Sequence, residues 1–274
     1  MNVKYIIKRL LPKPVTTPVM ILPKSGEELK DKVALIAGGS GGIGLAIAKA
    51  YLSAGAKVVI AGTSCTKLRA ICDSINSDKI RYIKLNYGDP TEFLGKVDEA
   101  VSYWGKIDIF VSSIGIHVDR EDLDFLNTTI EEYDSIMGIN LRGTYFMCQA
   151  IAKYMIKTDI KGHILLVSSQ SALEPSWSPY RLSKLGIDGI TRGMAQRLLK
   201  YDIVVNAIGP GPTATTMQKN YNGKSIYTPL NPIERFTMPE EVAQYALLLV
   251  SDLGNTIVGQ TIYMSGGRGI TEIR

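Results

Sequence analysis

The segment Ala37-Gly38-Gly39-Ser40-Gly41-Gly42-Ile43-Gly44 constrains this chain more than any other. It lies directly after the apolar run Val33–Ile36 and directly before a helical stretch from Leu45 to Tyr51. A strand that ends in a glycine-rich turn and passes at once into a helix opens a βαβ unit whose helix N-terminus favours an anion. Gly38 permits the tight exit from the strand, Gly42 lets backbone amides approach a pyrophosphate, and Gly44 lets the helix pack against the sheet. That context favours a dinucleotide site over a purely structural turn.

The rest of the chain continues the alternation. Val33 to Ala37, Lys57 to Ala61, Ile80 to Leu85, Ile107 to Ser112, His163 to Ser168, Ile203 to Ile208 and Thr261 to Met264 read as short apolar strands. The segments between them are long enough for crossover helices, and strands that are apolar on both faces fit a covered parallel sheet. The expected fold is α/β: a Rossmann-type doubly wound parallel sheet of about seven strands with helices on both faces. At 274 residues the chain suits one large core, so 31–274 reads as a single catalytic domain.

Residues 1–30 precede the first strand and read as an N-terminal arm. Ile6, Ile7, Leu10 and Leu11 alternate there with Lys4, Lys8 and Arg9, and Pro12, Pro14, Pro18 and Pro23 follow. Lys8 and Arg9 interrupt the apolar run and no small-residue cleavage site follows, which argues against a secretory signal. An arm packed on its own or a neighbouring subunit is preferred to a membrane-surface helix.

Composition excludes several classes. The net charge of +5 is mild and spread along the chain, with no nucleic-acid-binding motif. No apolar run reaches the length of a membrane span. Cys65, Cys72 and Cys148 are an odd number in no metal-ligand pattern, as for reduced thiols in a cytoplasmic protein. His117 and His163 are the only histidines, so no histidine-rich metal site is expected.

A second constellation lies far downstream. Tyr180 and Lys184 stand four apart in Pro-Tyr-Arg-Leu-Ser-Lys, which puts a phenol and an ammonium on one helix face. A free phenol, with pKa near 10, is a poor base at neutral pH. An ammonium roughly 4 Å away would lower it by about three units.

Together these residues resemble the single-domain branch of the short-chain dehydrogenase/reductase family, from about Lys32 to Gly267. The marks run in order: the glycine turn; Asn140 in the helix Glu131 to Tyr154; Ser169 ending Ile164-Leu-Leu-Val-Ser-Ser; Tyr180 with Lys184; Asn206-Ala-Ile-Gly-Pro210-Gly211-Pro-Thr213-Ala-Thr215; Arg235-Phe-Thr-Met-Pro239-Glu-Glu-Val-Ala; and Gly259-Gln-Thr-Ile-Tyr-Met-Ser-Gly266-Gly267. The resemblance implies an oxidoreductase that interconverts a carbonyl and an alcohol by hydride transfer, with Asn140, Ser169, Tyr180 and Lys184 as the catalytic four. Tyr180 would be the acid/base, Ser169 would hydrogen-bond the substrate oxygen, and Asn140 would hold a water linking Lys184 to solvent. The implied cofactor contacts are Gly38, Ser40, Gly41, Gly42, Ile43, Gly44, Thr63, Ser64, Asn86, Tyr87, Ser113, Gly115, Tyr180, Lys184, Pro210, Gly211, Thr213 and Thr215. A homodimer or homotetramer is implied as well.

Two departures bear on the cofactor. Where the family usually has Asn-Asn-Ala-Gly, this chain has Ser112-Ser113-Ile114-Gly115, which motivates the alternative of a catalytically silent nucleotide-binding sensor. After the second strand, Gly62-Thr63-Ser64 stands where an NAD enzyme commonly places a carboxylate. The absence of that charge favours NADP(H), with Thr63, Ser64 and Lys67 available to the 2′-phosphate. For the substrate, His117 and Trp177 should border the pocket with Ser169 and Tyr180. The polar stretch Met217 to Tyr227, including Lys219, Tyr221, Lys224 and Tyr227, resembles a mobile lid. Sugar, polyol, ketoacyl thioester and steroid substrates all stay open.

Overall fold

The computed structural model describes residues 26–118, 120, 122–218, 221, 223 and 225–268. Seven strands form one sheet in the order β3-β2-β1-β4-β5-β6-β7. They are β1 Val33–Ala37, β2 Lys57–Gly62, β3 Ile80–Lys84, β4 Ile109–Ser112, β5 His163–Val167, β6 Val204–Pro210 and β7 Thr261–Met264. Every neighbouring pair is parallel, as the continuous apolar runs require when both faces are covered.

The helices divide between the faces. Helices α1 (Gly42–Ser53), α2 (Cys65–Ile75) and α7 (Pro239–Val250) enclose one core, built on Ile47, Tyr51, Leu68 and Val242 with Ile36 and Ile60 of the sheet. Helices α3 (Phe93–Val101), α5 (Thr144–Lys157) and α6 (Pro179–Leu198) enclose the other, built on Phe93, Met147 and Ile187 with Leu35 and Phe110. The strand order reverses between β1 and β4, so the chain leaves their carboxyl ends in opposite directions and opens a crevice there.

Strand boundaries shift slightly from the pattern-based ones. The run from Ile107 pairs as a strand only from Ile109, and just before it the Asp108 side chain accepts the Val33 amide at 2.8 Å. Strand β6 runs on to Pro210, since Gly209 and Pro210 pair with Tyr263 and Met264 of β7. The expected helix Glu131 to Tyr154 is interrupted: α4 (Ile130–Ile136) passes into a π-helical stretch, Met137–Gly143, before α5 begins.

Residues 1–25 of the arm lie outside the described residues. The turn that follows belongs to the body, because Leu29 is buried in the core of α1 and α7 and donates its amide to the Ala54 carbonyl at 2.9 Å. Among the described residues no helix is long and apolar enough to cross a membrane.

Candidate active site

Helix α6 starts beside the carboxyl end of β5. Pro179 occupies its first turn, where a missing amide costs nothing, and the Ser178 side chain accepts from Arg181 N, a combination that fixes the helix start. Tyr180 and Lys184 follow on one face. Lys184 is 4% exposed, and its Nζ donates to the Val167 carbonyl at 2.9 Å while lying 5.8 Å from the Tyr180 ring centroid. Burial pushes this ammonium down to about 8, with Asp188 acting in the opposite direction.

The phenol behaves differently from the expectation of a strong downward pull by Lys184. Burial raises the Tyr180 pKa, and the opposing influence is a hydrogen bond with Ser169. The physical reason is that the ammonium is spent on the last carbonyl of β5, not on the phenolic oxygen. Ser169 is well placed for this, in extended backbone just after β5, with its Oγ also accepting the Ser171 amide at 3.1 Å.

Asn140 sits within the π-helical stretch, a widening of the helix that is frequent at functional sites. It is 1% exposed. Its Oδ1 accepts the Ile116 amide at 2.8 Å, and its Nδ2 donates to the Ile116 carbonyl at 2.9 Å and to Ser183 Oγ at 3.1 Å. The side chain therefore fastens the segment after β4 to α6. That segment crowds Lys184: a Cβ at Gly115 would stand 3.2 Å from Nζ.

The glycine turn forms a cradle. Gly38 has φ +80°, a left-handed conformation, and a Cβ there would meet the Ser113 carbonyl oxygen at 2.8 Å, so only glycine fits. At Gly42 a Cβ would meet Thr215 Cγ2 at 2.5 Å, which brings the loop after β6 over the first turn of α1. That helix has no side-chain cap and no acidic residue in its first turn, leaving its amides for an anion. Ile43, Ser113, Gly115, Pro210, Gly211, Thr213 and Thr215 line a single cleft of about 350 Å³ that continues to Ser169, Tyr180 and Lys184. Ser40 Oγ would lie 3.2 Å from a Cβ at Gly62, so the turn reaches the end of β2, where Thr63 and Ser64 are exposed. Asn86 is exposed after β3 and its Oδ1 accepts the Gly88 amide at 3.0 Å.

The side chain of Tyr87, expected as a cofactor contact, packs in the core. It is 3% exposed, and its hydroxyl pairs with Ser112 Oγ at 3.0 Å.

The cleft also receives His117 and Trp177. The His117 ring meets Tyr180 edge-on at 6.0 Å, and Trp177 carries the Arg181 guanidinium 4.9 Å from its ring centroid. Of the lid stretch, Met217 and Gln218 line the cleft. Tyr221 instead packs on Phe236 at 5.5 Å, Tyr227 bridges to Arg235, and Lys219 and Lys224 lie outside the described residues. Three charged groups escaped the sequence reading: Glu174, Arg181 and Arg268 converge on this cleft, brought together across 94 residues of chain, a separation that no local pattern signals. Among the described residues no group of three or more histidine, cysteine or acidic side chains could hold a metal.

Known proteins share this arrangement of chain. The enoyl-(acyl carrier protein) reductase family matches residues 37–268. The 3-oxoacyl-(acyl-carrier-protein) reductase FabG of Thermotoga maritima is 33% identical over 245 residues, 87% of this chain and 98% of its own length. The L-rhamnose 1-dehydrogenase (NADP(+)) of Thermoplasma acidophilum is 30% identical over 252 residues, covering 88% of this chain and 97% of its own. A crystal structure of a short-chain type dehydrogenase/reductase from Mycobacterium marinum superposes with a TM-score of 0.81 at 29% identity, over 89% of this chain and 97% of the other.

Proposed function

The chain belongs to the short-chain dehydrogenase/reductase family and is an NAD(P)-dependent oxidoreductase of carbonyl and alcohol groups, and we propose that it prefers NADP(H) and uses Tyr180 as its acid/base. The convergence of Ser169, Tyr180 and Lys184 on one cleft with the glycine turn supports that reading. The residues fit a dinucleotide: the turn around Gly38 and Gly42 leaves no room for side chains, and the uncapped start of α1 offers its amides to a pyrophosphate. When bound, the nicotinamide supplies or accepts the hydride.

The chain's own groups handle the proton. Tyr180 gives its phenolic proton to the substrate oxygen in reduction and takes it back in oxidation. Ser169 donates to the phenolate as it forms and hydrogen-bonds the substrate oxygen. Lys184, cationic below about 8, stays anchored on the Val167 carbonyl and supplies positive charge to the same cleft. Asn140 keeps Gly115 and α6 in register through Ile116 and Ser183.

For the cofactor, Gly62 carries no carboxylate to repel a 2′-phosphate, and Ser40, Thr63 and Ser64 present hydroxyls beside it. The name of the Thermoplasma relative carries the same cofactor. A homodimer or homotetramer in the cytoplasm completes the proposal, because Tyr145, Phe146, Leu182 and Leu185 stand exposed on α5 and α6, a patch that suits a symmetric helical interface.

A panel of carbonyls and alcohols followed at the nicotinamide absorbance tests this. NADPH-linked turnover on at least one of them, reduced at least about a hundredfold in Tyr180→Phe, is the expected result. Cofactor binding with no turnover on any compound would instead favour a silent sensor.

A further inference from the structure

Two arginines of the cleft share one carboxylate. Arg268 Nε donates to Glu174 Oε1 at 2.8 Å, and Arg181 Nη2 stands 2.9 Å from Glu174 Oε2. The second contact is an ion pair without hydrogen-bond alignment, since Oε2 is buried and takes no well-formed hydrogen bond among the described residues. Arg181 is held meanwhile by the Pro175 carbonyl at 3.2 Å and by the Trp177 ring. Arg268 is held by the Leu230 carbonyl at 3.4 Å. Both guanidiniums are thus fixed in place, yet neither has its planar fork matched by the carboxylate between them. A fork held rigid and unmatched is suited to a second anion.

Charge balance points the same way. Among the described residues lining the cleft, Glu174 is the sole acid, set against Arg181, Arg268 and Lys184. The cleft therefore carries a net positive charge on its lining, and concave walls focus the field of such charge on what enters. A latch that only tied the segment after β7 to the segment after β5 would need one arginine, not two.

We propose that Arg181 and Arg268 form an anion-reading subsite, so that the substrate of this oxidoreductase bears a carboxylate in addition to its reacting carbonyl or alcohol. The inference rests on Tyr180 as the acid/base, because it is the sharing of one cleft with Tyr180 that makes the subsite part of substrate recognition. Glu174 positions both guanidiniums and holds them apart until the substrate's own carboxylate occupies their free edges.

The test compares linear keto acids of graded chain length with their methyl esters, which keep shape and remove charge. Wild type should favour one acid over its ester at least tenfold in kcat/KM, with the preference shrinking as ionic strength rises. Arg268→Gln and Arg181→Gln should each cut that acid-to-ester ratio at least tenfold, chiefly through KM of the acid, and Arg268→Lys should restore part of it. Keto phosphonates in the same series show whether any compact anion is read. Equal kcat/KM for acids and esters in wild type would overturn the inference, as would variants that slow both members of each pair alike, the result expected of a latch. Calorimetric titration of the acids into Tyr180→Phe decides the matter without turnover. Binding that is abolished by adding Arg268→Gln supports the subsite even if the acid/base assignment fails, and no binding of any acid rejects it.

Discussion

Ser168 and Ser169 are consecutive residues whose hydroxyls serve opposite sides of the end of β5. Ser168 Oγ donates to the Lys184 carbonyl at 3.2 Å, whereas Ser169 Oγ accepts the Ser171 amide at 3.1 Å and meets the Tyr180 phenol. Extended backbone alternates its side chains by construction, so only one of the two can face the cleft's reacting end.

The two alanine variants should therefore part company. Ser169→Ala removes the one group that opposes the burial of Tyr180, so its phenol moves further up. The alkaline limb of the rate profile should shift to higher pH and turnover should fall at least tenfold. Ser168→Ala should cost about 1 kcal/mol of stability for one buried hydrogen bond, with the pH profile kept. Rate profiles and urea denaturation on both variants check this, and matching profiles for the two would refute the assignment.

The fold was legible because strand and turn signals are local. Val33–Ala37 is apolar at every position, the glycine turn follows it, and all five residues are buried. Tyr180 and Lys184 were legible for the same reason, one helical turn apart. The fate of Lys184 was not, because its carbonyl partner belongs to Val167, which tertiary structure alone brings near. The burial of the Tyr87 side chain was not legible either, because the group its hydroxyl meets, Ser112, is a neighbour across two strands and 25 residues. The interruption at Asn140 was not legible, since Met137–Gly143 carries no proline to mark a break in the helix.

Cofactor choice should invert at Gly62. A Cβ there would approach Ser40 Oγ at 3.2 Å, the tip of a small side chain that can rotate away, so Gly62→Asp should fold. Its carboxylate would repel a 2′-phosphate and accept ribose hydroxyls. NADPH affinity should drop at least tenfold while NADH affinity holds or improves. Fluorescence titration of both nucleotides settles it; a clear NADH preference in the unaltered protein would defeat the reading.

The approach of Thr215 to Gly42 yields a paired test. A methyl added by Gly42→Ala would stand 2.5 Å from Thr215 Cγ2 and 3.0 Å from its Cβ, so the loop after β6 must lift off the helix start. Dinucleotide affinity should weaken at least tenfold with little change in melting temperature. Adding Thr215→Ser removes Cγ2 and should recover part of the loss, the coupling expected of residues in contact. Strictly additive effects would mean that the two do not meet in solution.

Stability should depend on pH through Lys184. Its folded pKa is about 8, against an ordinary 10.5, because burial disfavours the charge. Below about 8 both folded and unfolded chains carry this proton, and the folded state bears the full cost of burying it. Between about 8 and 10.5 the folded chain has released the proton while the unfolded chain still binds it. Unfolding then takes up a proton, and stability rises with pH by at most about 1.4 kcal/mol per unit. Lys184→Met lacks this titration, so wild type should gain on it across that window and not below it. The comparison is cleanest from about pH 8 to 9.5, because Tyr51 and Tyr87, both raised by burial, lower stability once unfolded phenols ionise near 10. Urea denaturation of both proteins at half-unit steps measures the difference, and a gap that stays flat from pH 7 to 9.5 would show that the ammonium is better solvated than its contacts with Val167 and Gly115 imply.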